Sequence, residues 1–232
     1  MAYISDMSDG IFSIYVAPVE NRGRGKDTIK PKKIISSARQ NDFEQLNVLT
    51  PGISWSPDGK FITVSAKSGG EDAIFIVNVQ TKKYEKIKPG FSSITSVIWS
   101  PDGKKIAFVG IKDLRSDLFY YNLDDKTVNK ITDDVFSDKY PAWSYDSENI
   151  FFVSDRGDNL EKYVTPEKLK IWKVNNEVSD IYSVNIYSHE ITRITNEPNV
   201  DKTSIAVSND NKKILYVSTK NGIGNIYEYI RI

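Results

Sequence analysis

The sequence predicts an all-β fold built from repeated four-stranded sheets, and three observations carry the prediction. Trp55, Trp99 and Trp143 recur at one spacing of about 44 residues, within the range of sheet-based repeats. Each heads nearly the same phrase: WSPDGKFITVS, WSPDGKKIAFVG and WSYDSENIFFVS, with a weaker copy, VSNDNKKILYVS, from Val207. Within each unit, short runs rich in Val, Ile, Phe and Tyr alternate with turn residues. One such sheet cannot bury both of its faces, so successive copies must stack. The pattern is that of a β-propeller made of antiparallel blades.

The unit from Trp99 shows the elements in order. Strand a is SVIWS (96–100), b is KIAFVG (105–110), c is LFYYNL (118–123) and d is TVNKIT (127–132). Pro101-Asp102-Gly103 turns a into b: Pro presets φ, Asp bonds nearby backbone and Gly accepts positive φ. Asp124-Asp125-Lys126 turns c into d. The unit from Trp55 repeats this scheme with SPDG, FITVS, AIFIVNV and KYEKI. In the unit from Trp143, b is IFFVS (150–154), c is IYSVNI (181–186) and d is ITRIT (191–195). That unit exceeds the period by about 20 residues, and the surplus, 157–178, falls between b and c. An addition that leaves the strands on pattern is expected as a loop or flap, the usual place for recognition.

The end units are incomplete. The first aligns AYIS (2–5) with strand b, because Ser5 matches Ser65 and Ser154, then FSIYVAP (12–18) with c and KKIIS (32–36) with d. The stretch 37–50 receives no assignment. The last has strands a (204–208), b (213–218) and c (225–230), with no d. Five blades in a single domain, 1–232, follow, with approximate bounds 1–50, 51–92, 93–135, 136–199 and 200–232. Both end units own b and c, so they are not complementary halves of one blade. The expectation is an open arc or a fragment of a larger ring; the alternative is a five-bladed ring with two reduced blades.

Composition narrows the function classes. Lys plus Arg and Asp plus Glu are both 31, so no net field draws the chain to nucleic acid or an anionic membrane. Aromatics at 12% suit the packing between twisted sheets. Cysteine is absent, which removes disulfides and thiolate metal sites. No apolar run reaches the roughly 18 residues of a membrane-spanning helix. The opening MAYISDMSDG lacks the basic and apolar regions of a secretory signal.

WSPDGKKIAF with SDLFYYNL and KIT resembles the PD40, or TolB-like, propeller repeat, and FFVSDRGD with IYSVNI and ITRIT is similar. The resemblance covers almost the whole chain. It implies a docking platform in the periplasm or cell envelope, with a protein partner, as a segment of a larger multidomain envelope protein. Similar propellers also gate prolyl-oligopeptidase-like serine hydrolases, so an accessory propeller of such an enzyme is the alternative. Neither the α/β domain of TolB nor a hydrolase domain with its G-x-S-x-G elbow is present in this sequence.

The residues offer little chemistry. The one histidine, His189, lies in YSHEIT, an exposed turn between c and d, poorly placed for a Ser-His-Asp arrangement. With one His and no Cys a zinc site is not expected, and neither catalytic nor metal residues nor a cofactor are expected. Asp58, Asp102, Asp146 and Asp210 recur in the a–b turn, where local backbone bonding explains them. DMSDG (6–10) and SDRGD (154–158) lack the spacing and distal Glu of a calcium loop. RGRGK (22–26) lacks the GxxxxGK[ST] pattern of a phosphate loop. Trp55, Trp99 and Trp143 read as structural fillers between sheets. The candidate partner-binding residues are Tyr163, Trp172, Lys168 and Lys170 in the insertion, with Arg156 before it. The competing reading is that Tyr163 and Trp172 pin the flap to its own blade.

Overall fold

The computed structural model describes residues 1–7, 10–18, 30–36, 43–46, 52–112, 115–161, 179–197 and 200–231. Every regular element among them is a β-strand, and the chain divides into two compact units, Met1–Val97 and Ile98–Ile232. The division falls within one strand, β9 (Ser93–Trp99).

The first unit opens with β1 (Ala2–Ser5), β2 (Ser13–Val16) and β3 (Lys32–Ser36), an antiparallel meander in that order. A second sheet contains β4 (Gln45–Leu46), β5 (Ser54–Trp55), β6 (Phe61–Ser68), β7 (Glu71–Asn78) and β8 (Tyr84–Phe91). β4 pairs with β6 at Lys67 and Ala66, and β5 pairs with the same strand at Thr63 and Ile62. These two short pieces therefore form one interrupted strand a. Gln45 and Leu46, within the unassigned stretch 37–50, are its first half. Ile14, Ile34 and Ile35 of the first sheet join Ile62, Val64, Phe75 and Val77 of the second in one buried core.

The second unit continues the meander. β10 (Lys105–Lys112), β11 (Arg115–Asn122) and β12 (Val128–Lys130) complete the sheet that β9 begins. Next come β13 (Asp138–Trp143), β14 (Asn149–Ser154), β15 (Asp180–Asn185) and β16 (Ile191–Arg193). The last sheet is β17 (Lys202–Val207), β18 (Lys213–Ser218) and β19 (Asn225–Ile230). Among the described residues no sheet closes on itself as a barrel. In the paired registers Ser5 and Ser154 are equivalent, opposite Ser13 and Asp180. Ser65 instead opposes Ile74 as Val153 opposes Ile181, each ten residues after its tryptophan, so Ser65 matches Val153 and that alignment is corrected.

Period-2 alternation sends one set of side chains to each face of a blade. Ala107, Val109, Leu118 and Ile131 of the third sheet pack with Trp143, Ile150, Phe152, Tyr182 and Val184 of the fourth. Val153 and Ile181 of the fourth meet Tyr216, Tyr227 and Tyr229 of the fifth. Strands b and c share a cross-strand aromatic pair at one repeated register: Tyr3–Tyr15, Phe108–Phe119, Phe152–Tyr182 and Tyr216–Tyr227. Their ring centroids lie 5.8, 5.6, 5.8 and 6.0 Å apart. Each pair adds about 0.5–1.5 kcal/mol beyond its area burial. The repeated tryptophans share this role unequally: Trp143 is buried, whereas Trp55 and Trp99 are partly exposed.

Backbone strain is periodic as well. Among the described residues, eight other than glycine have positive φ, and they occupy three repeated positions. Ser96, Tyr140 and Ser204 each stand three residues before Trp99, Trp143 and Val207, at 55°, 52° and 56°. At Tyr140 and Ser204 the pairing register slips, so this is a β-bulge in strand a. Ser147 and Asn211 take the a–b turn position held by Gly59 and Gly103 in earlier units. Lys82, Lys126 and His189 share the c–d turn position. Left-handed residues often mark active sites; here they recur with the blades and belong to the scaffold.

Candidate functional site

The recurrent a–b turn is a closed hydrogen-bond unit. Ser56, Ser100, Ser144 and Ser208 donate their hydroxyls to Asp58, Asp102, Asp146 and Asp210 at 2.6, 2.5, 2.5 and 2.5 Å. Each carboxylate also accepts the backbone N–H two residues on, from Lys60, Lys104, Glu148 and Lys212. The Ser56 hydroxyl and the Lys60 N–H hold Asp58 below the usual carboxylate range, and Ser208 and Lys212 do the same for Asp210. One oxygen of each carboxylate is thus spent on its own turn, and the second oxygen of Asp146 accepts from Asn211 of the next blade at 3.0 Å.

Deeper in the second unit, two ionic clusters occupy equivalent places. In the first, Arg156 is fully buried. Its Nη2 donates to Asp138 at 2.8 Å and stands 3.1 Å from Asp134, while Nε donates to Ser154 at 3.0 Å. Its guanidinium lies over the rings of Phe136, Phe152 and Tyr182 at 5.7, 5.0 and 5.7 Å. Thr132 donates to Asp138 and accepts from the Leu118 N–H, while Lys130 pairs with Asp117 at 3.2 Å. Carboxylate oxygens of Asp117, Asp134 and Asp138 lie within 4.8 Å of one another. Burial, then the neighbouring Asp138, pushes Asp134 up to about 7. Burial also raises Asp117 in spite of Lys130. This donor set fits a guanidinium: Arg156 holds the position between the acids from which a cation would neutralise them.

One blade on, the signs change. Lys202 stands where Asp138 does, since each opposes the serine that ends strand b, Ser218 and Ser154. Lys202, itself buried, pairs with Asp180 at 2.9 Å and donates to the Ser179, Glu197 and Val200 carbonyls. Asp180 also accepts from Thr195 and Arg193. Burial works to raise Asp180, but hydrogen bonds from Arg193, Lys202 and Thr195 outweigh it and its pKa is lowered. Lys220, at the Arg156 position, is half-exposed and pairs with Glu197 at 2.6 Å. The second cluster is thus compensated by bases, whereas the first carries excess acid.

Between these clusters a cleft of about 230 Å³ opens in the second unit. Lys139, Tyr140, Asp155, Ser179, Asp201 and Lys202 line it, with serine, threonine and valine side chains between them. Asp155 accepts the Ser137 N–H at 2.8 Å, and burial raises its pKa. Ser179 donates to Asp201 at 3.1 Å. Asp155 and Ser179 also stand at the two ends of the 157–178 insertion, so the added segment leaves and rejoins its blade at this cleft. The walls offer paired charges and hydroxyls. His189 is not among them.

The sequence-predicted sites divide accordingly. Asp58, Asp102, Asp146 and Asp210 are turn residues, and His189 sits in its tight turn with its N–H donated to Asn185. Tyr163, Lys168, Lys170 and Trp172 lie outside the described residues, as does RGRGK (22–26). Arg156 is corrected: it is offered to no partner, because its head is sealed between two carboxylates and three rings. Sequence reasoning missed the Asp134–Asp138–Arg156 and Asp180–Lys202 clusters and the cleft. A signal existed in the repeated SD before strand c and the KIT and RIT that precede Asp134 and Glu197.

Comparison with known proteins agrees with this architecture. TolB from Acinetobacter baumannii superposes with a TM-score of 0.69 at 17% identity, over 99% of this chain and 48% of that one. A putative TolB from Agrobacterium tumefaciens gives 0.62 at 20% identity, over 87% of this chain and 62% of that one. A prolyl endopeptidase gives 0.57 at 13% identity, over 95% of this chain and 31% of that one. The chain thus spans about half the length of the first of these and under two thirds of the second. At these identities the likeness is one of fold. No curated protein matches the chain significantly. The TolB beta propeller domain profile, PD40, matches residues 39–168, more than half of the sequence, and with the repeated blades it establishes that the chain belongs to the TolB-like propeller family.

Proposed function

We propose that this chain is a non-catalytic TolB-like scaffold that presents loops to a protein partner in the cell envelope. The observation that carries this reading is the cleft at the foot of the insertion. The one large departure from the repeat begins and ends on its walls, at Asp155 and Ser179. Elsewhere in the described structure, strained residues and turn acids follow the blade period and are consumed by the scaffold. Rigid strands fix the cleft from which the added segment departs, and loops on rigid scaffolds are where partners are commonly bound. Lys139 and Asp158 are exposed at this edge and supply opposite charges.

Photo-cross-linkers placed singly at Lys139, at Asp158 and at the exposed turn residue Lys126, outside the cleft lining, test the reading in cells. A discrete adduct from the first two sites, absent at Lys126 and enriched in envelope fractions, is the expected result. Equal labelling from all three sites, or no adduct at the cleft, overturns it.

A further inference from the structure

The cleft at the foot of the insertion holds four charged side chains, and they are not equivalent. Lys202 is sealed: Asp180 stands 2.9 Å from its ammonium, and the Ser179, Glu197 and Val200 carbonyls accept its N–H groups. Lys139 is exposed at the rim. Asp155 and Asp201 remain, and neither has an ion pair among the described residues. Each uses one oxygen locally, on the Ser137 N–H and the Ser179 hydroxyl, and the second oxygen has no donor among the described residues. Burial first, and the charge of Asp138 with it, raises Asp155, so positive charge beside it is favoured. Tyr140 lines the same cleft, half-buried against Val153, Ile181 and Tyr216. The equivalent positions of the neighbouring blades carry Ser96 and Ser204, so the ring is particular to this one.

We propose, on the reading of this cleft as the partner's site, that it takes one basic side chain of that partner, its cation between Asp155 and Asp201 and its stem along Tyr140. Size favours a single side chain: about 230 Å³ falls below the roughly 300–1,000 Å³ of pockets that enclose a whole small ligand. Carboxylates beside an aromatic ring form a combination that attracts a cation. The same blade already uses it internally, where Asp134 and Asp138 hold Arg156 over Phe152 and Tyr182. A lysine or arginine stem can lie along the ring while its head reaches the acids. The Ser137 and Thr203 hydroxyls line the walls and can accept further N–H groups. An acidic side chain would instead meet two like charges, with the inner base of the cleft already held by Asp180.

N-acetyl-arginine amide and its neutral isostere, N-acetyl-citrulline amide, are the probes, titrated into the whole chain and read by the backbone amide signals of Asp155, Ser179 and Asp201. The arginine probe should shift these signals saturably and bind at least tenfold more tightly than the citrulline probe. Asp155→Asn combined with Asp201→Asn keeps both local hydrogen bonds, because the amide oxygen replaces the carboxylate oxygen that accepts them. This pair should weaken the arginine probe at least tenfold, and Asp124→Asn, at an exposed turn, should leave it unchanged. Tyr140→Asn removes the ring with a residue that tolerates left-handed backbone, and should also weaken binding. In cells, the Asn pair should abolish the cross-linked adduct at Asp158. No saturable shift, equal binding of the two probes, or arginine binding that survives the Asn pair overturns the proposal. An adduct that persists in the Asn pair overturns it as well but leaves the cleft as the partner's site, whereas no adduct from the unaltered chain overturns both.

Discussion

Gly52 lies so close to Val97 that a Cβ built on it would stand 2.4 Å from the Val97 backbone nitrogen. The Ser96 Cα and carbonyl carbon would be 3.0 Å away. Ser96 is a left-handed residue within β9, so the glycine packs against backbone that is already strained. Gly52→Ala should therefore destabilise the chain by about 1–3 kcal/mol, the usual cost of overpacking. Chemical denaturation checks it. Gly69→Ala, whose nearest neighbour is only the Lys88 ammonium at 3.3 Å, tests instead the cost of positive φ and should not reproduce a packing defect.

Arg156 and Lys220 hold the same place in successive blades but differ in burial, and their replacement should differ accordingly. Arg156→Met leaves Asp134 and Asp138 buried without their cation, a loss of about 3–5 kcal/mol. Lys220→Met removes a half-exposed pair with Glu197 and should cost about 0–1 kcal/mol. Thermal unfolding of the two variants side by side measures the contrast. Equal costs would remove the argument that Arg156 belongs to the core.

The contrast also shows what the sequence could reveal. Trp, Asp and Gly at a fixed spacing announce the blades because turn chemistry and aromatic filling are local requirements. The interrupted strand a of the second blade escaped detection because Gln45-Leu46 and Ser54-Trp55 are each too short to show alternation. Arg156 looked like a loop cation because nothing local reports desolvation. Its burial comes from Asp134, Asp138, Phe152 and Tyr182, which only the folded blades bring together. His189 was legible as a c–d turn residue, and it shares the left-handed turn position of Lys82 and Lys126. The candidate cleft was legible only as an interruption of the repeat.

Excess acid around Asp134 gives a signed pH dependence. Its folded pKa, about 7, lies above the ordinary 3.8, so the folded chain binds more protons than the unfolded chain between these values. Stability from this group is full below about pH 4 and is lost as pH rises through 7, at no more than about 1.4 kcal/mol per pH unit. The raised Asp117 and Asp155 act in the same direction. The lowered Asp58, Asp102, Asp180 and Asp210 act oppositely, losing stability as pH falls below their ordinary range. Asp134→Asn should flatten the decline between pH 5 and 8 and leave the acid limb in place. Urea midpoints across that range decide it, and an unaltered slope would assign the decline to other groups.

Trp143 and Trp99 head matching phrases, yet their surroundings separate them. Trp143 is 6% exposed and packs among Ile150, Phe152, Tyr182 and Val184, with the Lys105 ammonium 6.0 Å from its ring. Trp99 is only partly buried. Removing a large buried ring costs the lost transfer energy plus the cavity left behind, about 3–5 kcal/mol for Trp143→Ala. Where a ring already touches water, both contributions shrink, because less area is exposed anew and the space left behind opens to solvent. Trp99→Ala should therefore cost less than Trp143→Ala, although the two phrases are nearly identical. Equal losses in denaturant midpoint would mean that position in the repeat, rather than burial, sets the energy of the tryptophan.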